Sequence, residues 1–566
     1  MKKFILTLFA AMPMLIMAQS MNVSVDSVGQ IARQLPDSVR FKVSELKVSG
    51  PLNGVDLKLL SDIVTRTKTN KKVAGECLVT SIDLSEAVII ESQQSESMFK
   101  LKKESMKTEA NALPNSLFAG AKSLVRAVLP KNLVSIGNNC FDNCSSLAEV
   151  NIPESVTSIG SNAFSDCPSL GVVRLPDGLT AIGHDAFEGC AALTVIEIPE
   201  TVSELGNDAF AGCKMLTKAV INGKIKEIGS GTFADCESLA EISIPESVSS
   251  LGNNAFRNCK SLTAIHLADN LDEIGNSAFE KCSSLKDIGI SKVEKIGSNA
   301  FQECASLQDI DIEGVKKIGN GAFTKCVSLK TVNIQGSLDE LGMDTFNDCS
   351  SLSSISLPKS IKKIESRVFM NCKSLTQIEL PSSLTKMNDH VFENCSNLKT
   401  IDIPASVKEM GSSIFESCTA LDTVQINCFI EKIESDAFRN CRSLRSIKLP
   451  VSVKKIGSEA FEGCTALSSV DLPVSLLSIG SDAFRECSTL AAIDLPIGLK
   501  EIGGSAFAKC VSLREVNVKA PVPPKIASST FKGIVPAACT FYIPRGSRTL
   551  YLNDKQWQKI SQLTEK

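Results

Sequence analysis

The sequence predicts an α/β solenoid with a parallel β-sheet on one face, short helical turns on the other face and a cap at each end. One template, F-x-x-C-x-x-L-x-x-[IV]-x-[IL]-P-x-x-[LV]-x-x-[IL]-G-x-x-A, recurs about every 23 residues from 113 to 520. An unbroken repeat with such a period is the signature of stacked coils that bury their apolar sides against one another. The eighteen units begin at Phe118, Phe141, Phe164, Phe187, Phe210, Phe233, Phe256, Phe279, Phe301, Phe323, Phe346, Phe369, Phe392, Phe415, Phe438, Phe461, Phe484 and Phe507.

The elements of one coil follow from its apolar pattern. Two apolar positions flank a usually polar one, as in Ile401-Asp402-Ile403, and this alternation predicts a short half-buried strand. The Pro that follows, such as Pro450, cannot donate a ladder hydrogen bond and marks the turn out of the sheet. Ser, Asn or Asp after the Gly, as in Ser161-Asn162, are helix N-cap types. We therefore expect the Ala-Phe-x-x-Cys segment to form a short helical turn.

The N-terminal residues indicate export. Residues 1–18 combine Lys2 and Lys3 with an apolar run and end on the small residue Ala18, which is the pattern of a secretory signal peptide. The run is too short to favour a transmembrane helix. We expect a secreted or cell-surface protein without a transmembrane segment, with the periplasm as the alternative compartment.

The regions beside the repeat are expected to cap it. Residues 19–40 lack periodicity and predict a flexible lead-in. Residues 41–112 show strand-like alternation, a turn, a helical spacing and half a repeat unit, which indicate an N-terminal cap followed by a polar loop. Residues 521–566 follow the solenoid, 113–520, and predict a C-terminal cap made of a strand and an amphipathic helix. Trp557 is expected to pack inside this cap.

The cysteines are interpreted mainly as buried thiols. Seventeen of the 21 lie three residues after the repeated Phe, in a row running from Cys144 to Cys510. Equivalent side chains of stacked coils point in parallel, whereas a disulfide needs two Cβ atoms that face each other. The slot therefore favours a small apolar side chain, and disulfides remain the alternative in an exported protein. Metal binding is not expected, and among the remaining cysteines Cys428 is predicted to be exposed.

With this template, the chain resembles the BspA-like leucine-rich repeat proteins of bacteria. The resemblance covers residues 113–519, and the segments Leu46–Gly54 and Tyr542–Ser547 are similar to the caps of that family. It implies a leucine-rich-repeat superhelix in a secreted or surface protein. It also implies adhesion to host or neighbouring-cell proteins, aggregation or attachment, which carry over by analogy of fold.

Composition argues against several classes of function. The chain has 60 basic and 63 acidic residues, so no strong field attracts nucleic acid. An enzyme needs a convergent set of catalytic groups, whereas the three histidines, His184, His266 and His390, are spread over distant coils. We therefore expect a protein that is not an enzyme and needs no cofactor.

Protein binding is the leading functional hypothesis, since solenoids commonly bind large partners on an extended sheet face. Acidic residues on that face indicate a strip for a basic partner or a weak cation, with an ordinary solvated surface as the alternative. A glycan-binding accessory protein and a structural surface-layer component are the alternative functions, and the oligomeric state is left open. The candidate binding residues are Glu241, Asp287, Asp309, Asp311, Glu379 and Asp402.

Overall fold

The computed structural model describes residues 19–40, 42–65, 78–92, 106–534 and 538–566. The predicted signal peptide, most of the polar loop and Cys77 lie outside the described residues. The chain divides into two compact units, Met1–Ile225 and Lys226–Lys566. Each unit is a stack of coils joined by short parallel strands, so the predicted solenoid is confirmed.

Helices are few and lie near the ends of the chain. The described helices are α1 (Ile31–Gln34), α2 (Asp37–Arg40), α3 (Gly54–Val64) and α4 (Arg548–Asn553), with a 3-10 turn at Trp557–Lys559. The strands of the first unit are β1 (Gln19–Ser24), β2 (Val43–Leu52), β3 (Ser81–Asp83), β4 (Ala87–Ile89), β5 (Ala112–Leu113), β6 (Arg126–Val128), β7 (Ser135–Ile136), β8 (Glu149–Asn151), β9 (Ser158–Ile159), β10 (Ala181–Ile182), β11 (Val195–Ile198), β12 (Glu204–Leu205) and β13 (Lys218–Ile221).

The second unit continues the same arrangement to the C-terminus. Its strands are β14 (Glu227–Ile228), β15 (Glu241–Ser243), β16 (Ser250–Leu251), β17 (Ala264–Ile265), β18 (Glu273–Ile274), β19 (Asp287–Ile288), β20 (Lys295–Ile296), β21 (Asp309–Ile312), β22 (Lys317–Ile318), β23 (Thr331–Ile334), β24 (Glu340–Leu341), β25 (Ser354–Ser356), β26 (Lys363–Ile364), β27 (Lys386–Met387), β28 (Thr400–Ile403), β29 (Glu409–Met410), β30 (Thr423–Ile426), β31 (Lys432–Ile433), β32 (Ser446–Lys448), β33 (Lys455–Ile456), β34 (Ser469–Asp471), β35 (Ser478–Ile479), β36 (Ala492–Leu495), β37 (Glu501–Ile502), β38 (Glu515–Val518), β39 (Lys525–Ile526), β40 (Thr540–Ile543) and β41 (Leu563–Glu565).

Most coils contain two short strands, one more than the sequence predicts. The coil of Phe141 has β8 as its first strand and β9 as its second. Each strand pairs in parallel with the equivalent strand of the next coil, so that Ser158 of β9 is opposite Ala181 of β10. Second strands form continuous sheets, such as β5-β7-β9-β10-β12 in the first unit and β31-β33-β35-β37-β39 in the second. Residues that are one repeat apart in the sequence therefore lie opposite each other on adjacent strands.

The segment around each repeated Phe forms hydrogen-bonded turns in place of the expected helical turns. The residues two before and two after the Phe are left-handed, as at Asn139 (φ 55°) and Asn143 (φ 57°), and an α-helix does not run through left-handed residues. The backbone N–H groups of Asn139, Phe141 and Asn143 instead donate to carbonyls one coil later, at 2.7–2.8 Å. The turns therefore form a third ladder of backbone hydrogen bonds between coils, in addition to the ladders of the first and second strands.

The polar residue after the repeated Gly caps the next coil, so the expectation of a helix N-cap is wrong. Asn138 Oδ1 accepts the backbone N–H of Ser161 at 2.8 Å, and Asn276 Oδ1 accepts that of Ser298 at 2.8 Å. No helix begins at these positions, and the N–H group within reach belongs to the neighbouring coil. The Ser, Asn or Asp residues that follow the Gly therefore stabilise the stacking of coils.

Most of the repeated Gly residues lie where two backbones approach closely, although Glu365, Asn388 and Glu434 occupy this position in three coils. Gly183 does not have a positive φ. A Cβ on Gly183 would lie 2.5 Å from the N of Ser161 and 2.6 Å from the C of Gly160 in the preceding coil. Such distances are far inside van der Waals contact, so a larger residue forces the two coils apart.

We predict that Gly297→Ala destabilises the protein whereas Gly289→Ala does not. A Cβ on Gly297 would meet Asn276 N and Gly275 C at 2.5 Å, while nothing lies within 4 Å of the Cβ position of Gly289. Overpacking of this kind costs about 1–3 kcal/mol. Urea unfolding of the two variants measures the difference, and equal midpoints would contradict the close-approach explanation.

Within each unit, the core consists of columns of identical side chains. Successive Phe rings stack with nearly parallel planes, with centroids 5.2 Å apart between Phe141 and Phe164 and 5.3 Å apart between Phe301 and Phe323. These rings are fully buried. Each ring thus fills the space between its two neighbours, and a single coil cannot complete the column alone.

The cysteine row is buried and also hydrogen-bonded. Cys167 Sγ donates to the carbonyl oxygen of Phe141 at 3.1 Å, and Cys304 Sγ donates to that of Phe279 at 3.1 Å. The contact repeats along the stack with distances of 3.1–3.3 Å. The interpretation as buried thiols is confirmed for these residues, and each thiol also satisfies a buried carbonyl in the coil before it.

Cys428 corrects the sequence prediction, because its side chain is buried and the adjacent Phe429 is exposed. The coil that begins at Phe415 has Asn427 at the position where most coils have Pro. Successive side chains of an extended segment point to opposite sides. The thiol therefore faces the core, and the phenyl ring takes the outward direction.

We predict that stability falls as the pH rises above about 9. Burial raises the pKa of Cys326 and of Cys464 from 9.0 to about 12. Below pH 9 the thiols are protonated in the folded and unfolded states alike, so they make no pH-dependent contribution. Between pH 9 and 12 only the unfolded chain loses these protons, which favours unfolding.

Urea unfolding from pH 7 to 10.5 measures this loss, and a water-soluble disulfide reagent at pH 8 gives an independent check. The reagent should react with the described thiols only after denaturant is added. Immediate reaction of the native protein in bulk would contradict the dry interior.

The N-terminal cap includes the segment expected to be a flexible lead-in. Residues 19–40 form β1, α1 and α2, and β1 pairs in parallel with β2. The buried carboxylate of Asp56 accepts the backbone N–H groups of Gly29 at 2.6 Å and Ile31 at 3.2 Å. The same side chain completes a capping box with Asn53 at the start of α3. This carboxylate therefore holds the lead-in against the cap.

The C-terminal cap covers the last coil with β40, α4 and β41. Trp557 is fully buried, and its Nε1 donates to the carbonyl oxygen of Pro524 at 2.7 Å. The hydroxyl of Tyr551 donates to Ala520 O at 2.7 Å. The expected packing role of Trp557 is thus confirmed.

Candidate binding surface

The six acidic candidates are exposed residues of the second unit. Five lie on first strands of their coils, namely Glu241, Asp287, Asp309, Asp311 and Asp402. Glu379 lies in an extended segment between buried Ile378 and Leu380, where the structure has no strand. All six therefore project outward from the side of the coil that carries the first strands, as the alternation predicts.

The fold brings these residues together in two groups. Asp287, Asp309 and Asp311 lie in successive coils, as do Glu379 and Asp402 further along. The two intervening coils present neutral residues at the same positions, such as Thr331, which is opposite Asp309 and donates its hydroxyl to that carboxylate. Glu241 is separated from Asp287 by the coil of Ala264 and His266. The acidic residues do not form one continuous strip.

The three histidines have different surroundings. His184 Nδ1 accepts the backbone N–H of Asn207 at 2.9 Å and so supports coil stacking in the first unit. His266 is exposed beside β17. His390 Nδ1 lies 2.6 Å from Glu393 Oε2. Within the described ranges, His390 is the histidine that lies in a group of at least three potential metal ligands. The group consists of His390, Glu393 and Glu416.

A row of exposed aliphatic residues runs along the second unit. Val451, Val474 and Ile497 occupy the position after the repeated Pro in three successive coils, with exposures of 74%, 77% and 63%. Val522, beyond them, is 66% exposed, and Phe429, in the preceding coil, is 72% exposed. Contiguous exposed apolar residues typically mark interaction sites.

The sequence contains a signal for this row that the charged residues alone do not reveal. The position after the Pro is polar in most other coils, as at Glu154, Glu246 and Lys359. Three consecutive Pro-Val or Pro-Ile pairs depart from that rule. A position-by-position comparison of the repeats, rather than a search for charged residues alone, would have found them.

A groove of about 470 Å³ lies between this row and the first strands of the same coils. Val474 and Ile497 form its apolar side, and Lys448, Asp471 and Asp494 lie on its polar side. Asp494 is paired with Lys519 at 2.7 Å, and this lysine together with Asn517 lowers the pKa of the Asp494 carboxyl. The surface thus combines an apolar edge with charged groups of both signs.

The first unit has a larger concavity of about 1030 Å³ on its own first strands. It is lined by exposed Val172 and Val195 together with Arg174 and Glu197. Each unit therefore presents exposed aliphatic side chains next to charged ones. Protein–protein interfaces also place apolar side chains beside a polar rim.

No helix among the described residues has the length and apolar character needed to cross a membrane.

The family profile of the BspA type Leucine rich repeat region matches residues 111–240, 226–353, 339–435 and 419–535. Among solved structures, a leucine-rich repeat protein from Bacteroides ovatus is 27% identical, with 74% of this chain and 84% of that chain covered and a TM-score of 0.30. A leucine rich cell surface protein from Faecalibacterium prausnitzii is 26% identical, with 65% and 90% covered and a TM-score of 0.33.

A leucine-rich repeat protein from T. pallidum is 34% identical, with 27% of this chain and 71% of that chain covered and a TM-score of 0.26. No curated protein sequence matches the chain significantly. The profile spans most of the chain, and the matched segments are the coils described above. The chain belongs to the BspA type leucine-rich repeat family.

Proposed function

We propose that the protein is an exported binding protein that attaches to proteins of a host or of a neighbouring cell, and that it is not an enzyme. The observation that carries this proposal is the exposed aliphatic row of Val451, Val474 and Ile497 beside the groove. Exposing three aliphatic side chains in consecutive coils is unfavourable in water. A partner that covers them removes this cost on binding.

Export is part of the same proposal. The basic and apolar residues of the segment 1–18 support it, and so does the similarity to a cell surface protein of Faecalibacterium prausnitzii. Binding at the surface of a rigid stack also suits adhesion, because preorganised side chains lose little conformational entropy when a partner binds.

The test is binding of the protein, without residues 1–18, to panels of matrix and plasma proteins and to a glycan array. Once a protein ligand is identified, a variant combining Val451→Asp, Val474→Asp and Ile497→Asp should weaken its binding on the order of tenfold or more. These side chains are exposed, so the variant should keep the unfolding temperature of the parent chain.

A charge-reversed variant, Asp309→Lys with Asp311→Lys, is the matched control. Its affinity should be close to that of the parent chain if the aliphatic row is the binding surface. Loss of binding in this control but not in the aspartate variant would instead assign recognition to the acidic residues. Binding to glycans alone would favour the glycan-binding alternative, and no binding in either panel would favour a structural role.

A further inference from the structure

A cluster of three metal-ligating side chains lies on the turn side of two neighbouring coils. His390 and Glu393 lie on either side of Phe392 in one turn, and Glu416 follows Phe415 in the turn of the next coil. One ligand atom from each side chain lies within 4.8 Å of the others, and all three residues are half-buried. His390 Nδ1 and Glu393 Oε2 are only 2.6 Å apart.

The backbone that carries these side chains is fixed by hydrogen bonds between coils. The N–H of His390 donates to Ser412 O at 2.9 Å, and the N–H of Asn394 donates to Glu416 O at 2.8 Å. Within the turn, the N–H of Glu393 donates to His390 O at 3.3 Å. The three side chains therefore project from one rigid platform, and rotation about their own bonds adjusts their spacing.

The surroundings carry more carboxylates than cations. Arg439 is the cation that contacts Glu416, at 3.6 Å, and it also lies 3.5 Å from Asp436 and 3.4 Å from Glu459. Burial raises the pKa of the Asp436 carboxyl, and Glu459 and Glu416 raise it further, whereas Arg439 and His390 oppose this rise. Four carboxylates, those of Glu416, Asp436, Glu459 and Glu462, contact the guanidinium of Arg439, and this concentration of negative charge favours a bound cation.

We propose that His390, Glu393 and Glu416 bind one divalent transition-metal ion, such as Zn²⁺, through the His Nδ1 and one oxygen of each glutamate. Imidazole and carboxylate are both good ligands for this class of metal. A Zn²⁺ ion bound 2.0–2.2 Å from each ligand needs ligand atoms about 3.3 Å apart. Rotation of the side chains must therefore widen the 2.6 Å contact between His390 and Glu393 and close the spread of up to 4.8 Å within the cluster.

Arg439 is the competitor that the ion must displace from Glu416. The guanidinium keeps other partners when it leaves, since it also contacts Asp436, Glu459 and, at 3.2 Å, Glu462. Three protein ligands leave at least one coordination position open to water or to a carboxylate or imidazole of a binding partner. The ion can therefore join this face of the solenoid to another molecule.

Titration of the full chain with Zn²⁺ by calorimetry, and with Co²⁺ by visible absorption, tests the proposal. We expect one ion per chain. His390→Gln and Glu416→Gln should each weaken Zn²⁺ binding by about tenfold to a hundredfold, while Arg439→Gln should tighten it. His266→Gln is the matched control, because it removes an exposed histidine of the same unit outside the cluster.

Thermal unfolding without metal shows whether the variants retain the fold, and Glu393→Gln replaces any variant that does not. Absence of Zn²⁺ binding, or binding that His390→Gln and Glu416→Gln leave unchanged, would overturn the proposal and assign His390 and Glu393 to an ordinary hydrogen-bonded pair. An effect of His266→Gln as large as that of His390→Gln would also overturn it, since it would indicate nonspecific binding to surface histidines.

Discussion

Hydrogen bonding between equivalent backbone positions of neighbouring coils is the constraint on which the rest of the structure depends. It operates in the first strands, in the second strands and in the turns around the repeated Phe. Because every ladder links residues one repeat apart, the length of a coil stays at 22 or 23 residues from Phe118 to Phe507. Gly183 shows how strict the constraint is, since the backbones meet so closely that a Cβ has no room. The contacts between coils therefore stabilise the fold, and a single coil is not stable alone.

The core follows from the same constraint. Equivalent side chains are superposed on one another, so one Phe per coil becomes a column of rings, and one Cys per coil becomes a row of buried thiols. Cys is suited to the slot because its Sγ is small and apolar yet donates to the carbonyl of the preceding Phe, as Cys304 does to Phe279. The carbonyl of Phe279 also accepts the backbone N–H of Cys282 at 3.1 Å, so the thiol adds a second hydrogen bond that links two coils.

The outward positions do not take part in the core or in the backbone ladders, and variation there creates the two surfaces that we propose to bind other molecules. The aliphatic row arises where Val451, Val474 and Ile497 replace polar residues after the repeated Pro. The cluster of His390, Glu393 and Glu416 arises at outward positions of the turn. Both features are local departures from the repeat on an unchanged scaffold, as expected when function lies in sites carried by a common fold.

The sequence by itself determined the solenoid, the coil length, the buried cysteine row and the packing of Trp557, because periodic apolar residues have one way to be buried together. Only the tertiary structure decided the left-handed turns at residues such as Asn139, the capping of one coil by Asn138 of another and the ordering of residues 19–40 by Asp56. These features, like the grouping of the acidic residues and of His390 with Glu416, depend on contacts between neighbouring coils or distant segments. A local pattern records which residues are apolar, but it does not record which groups lie beside them after the chain has stacked.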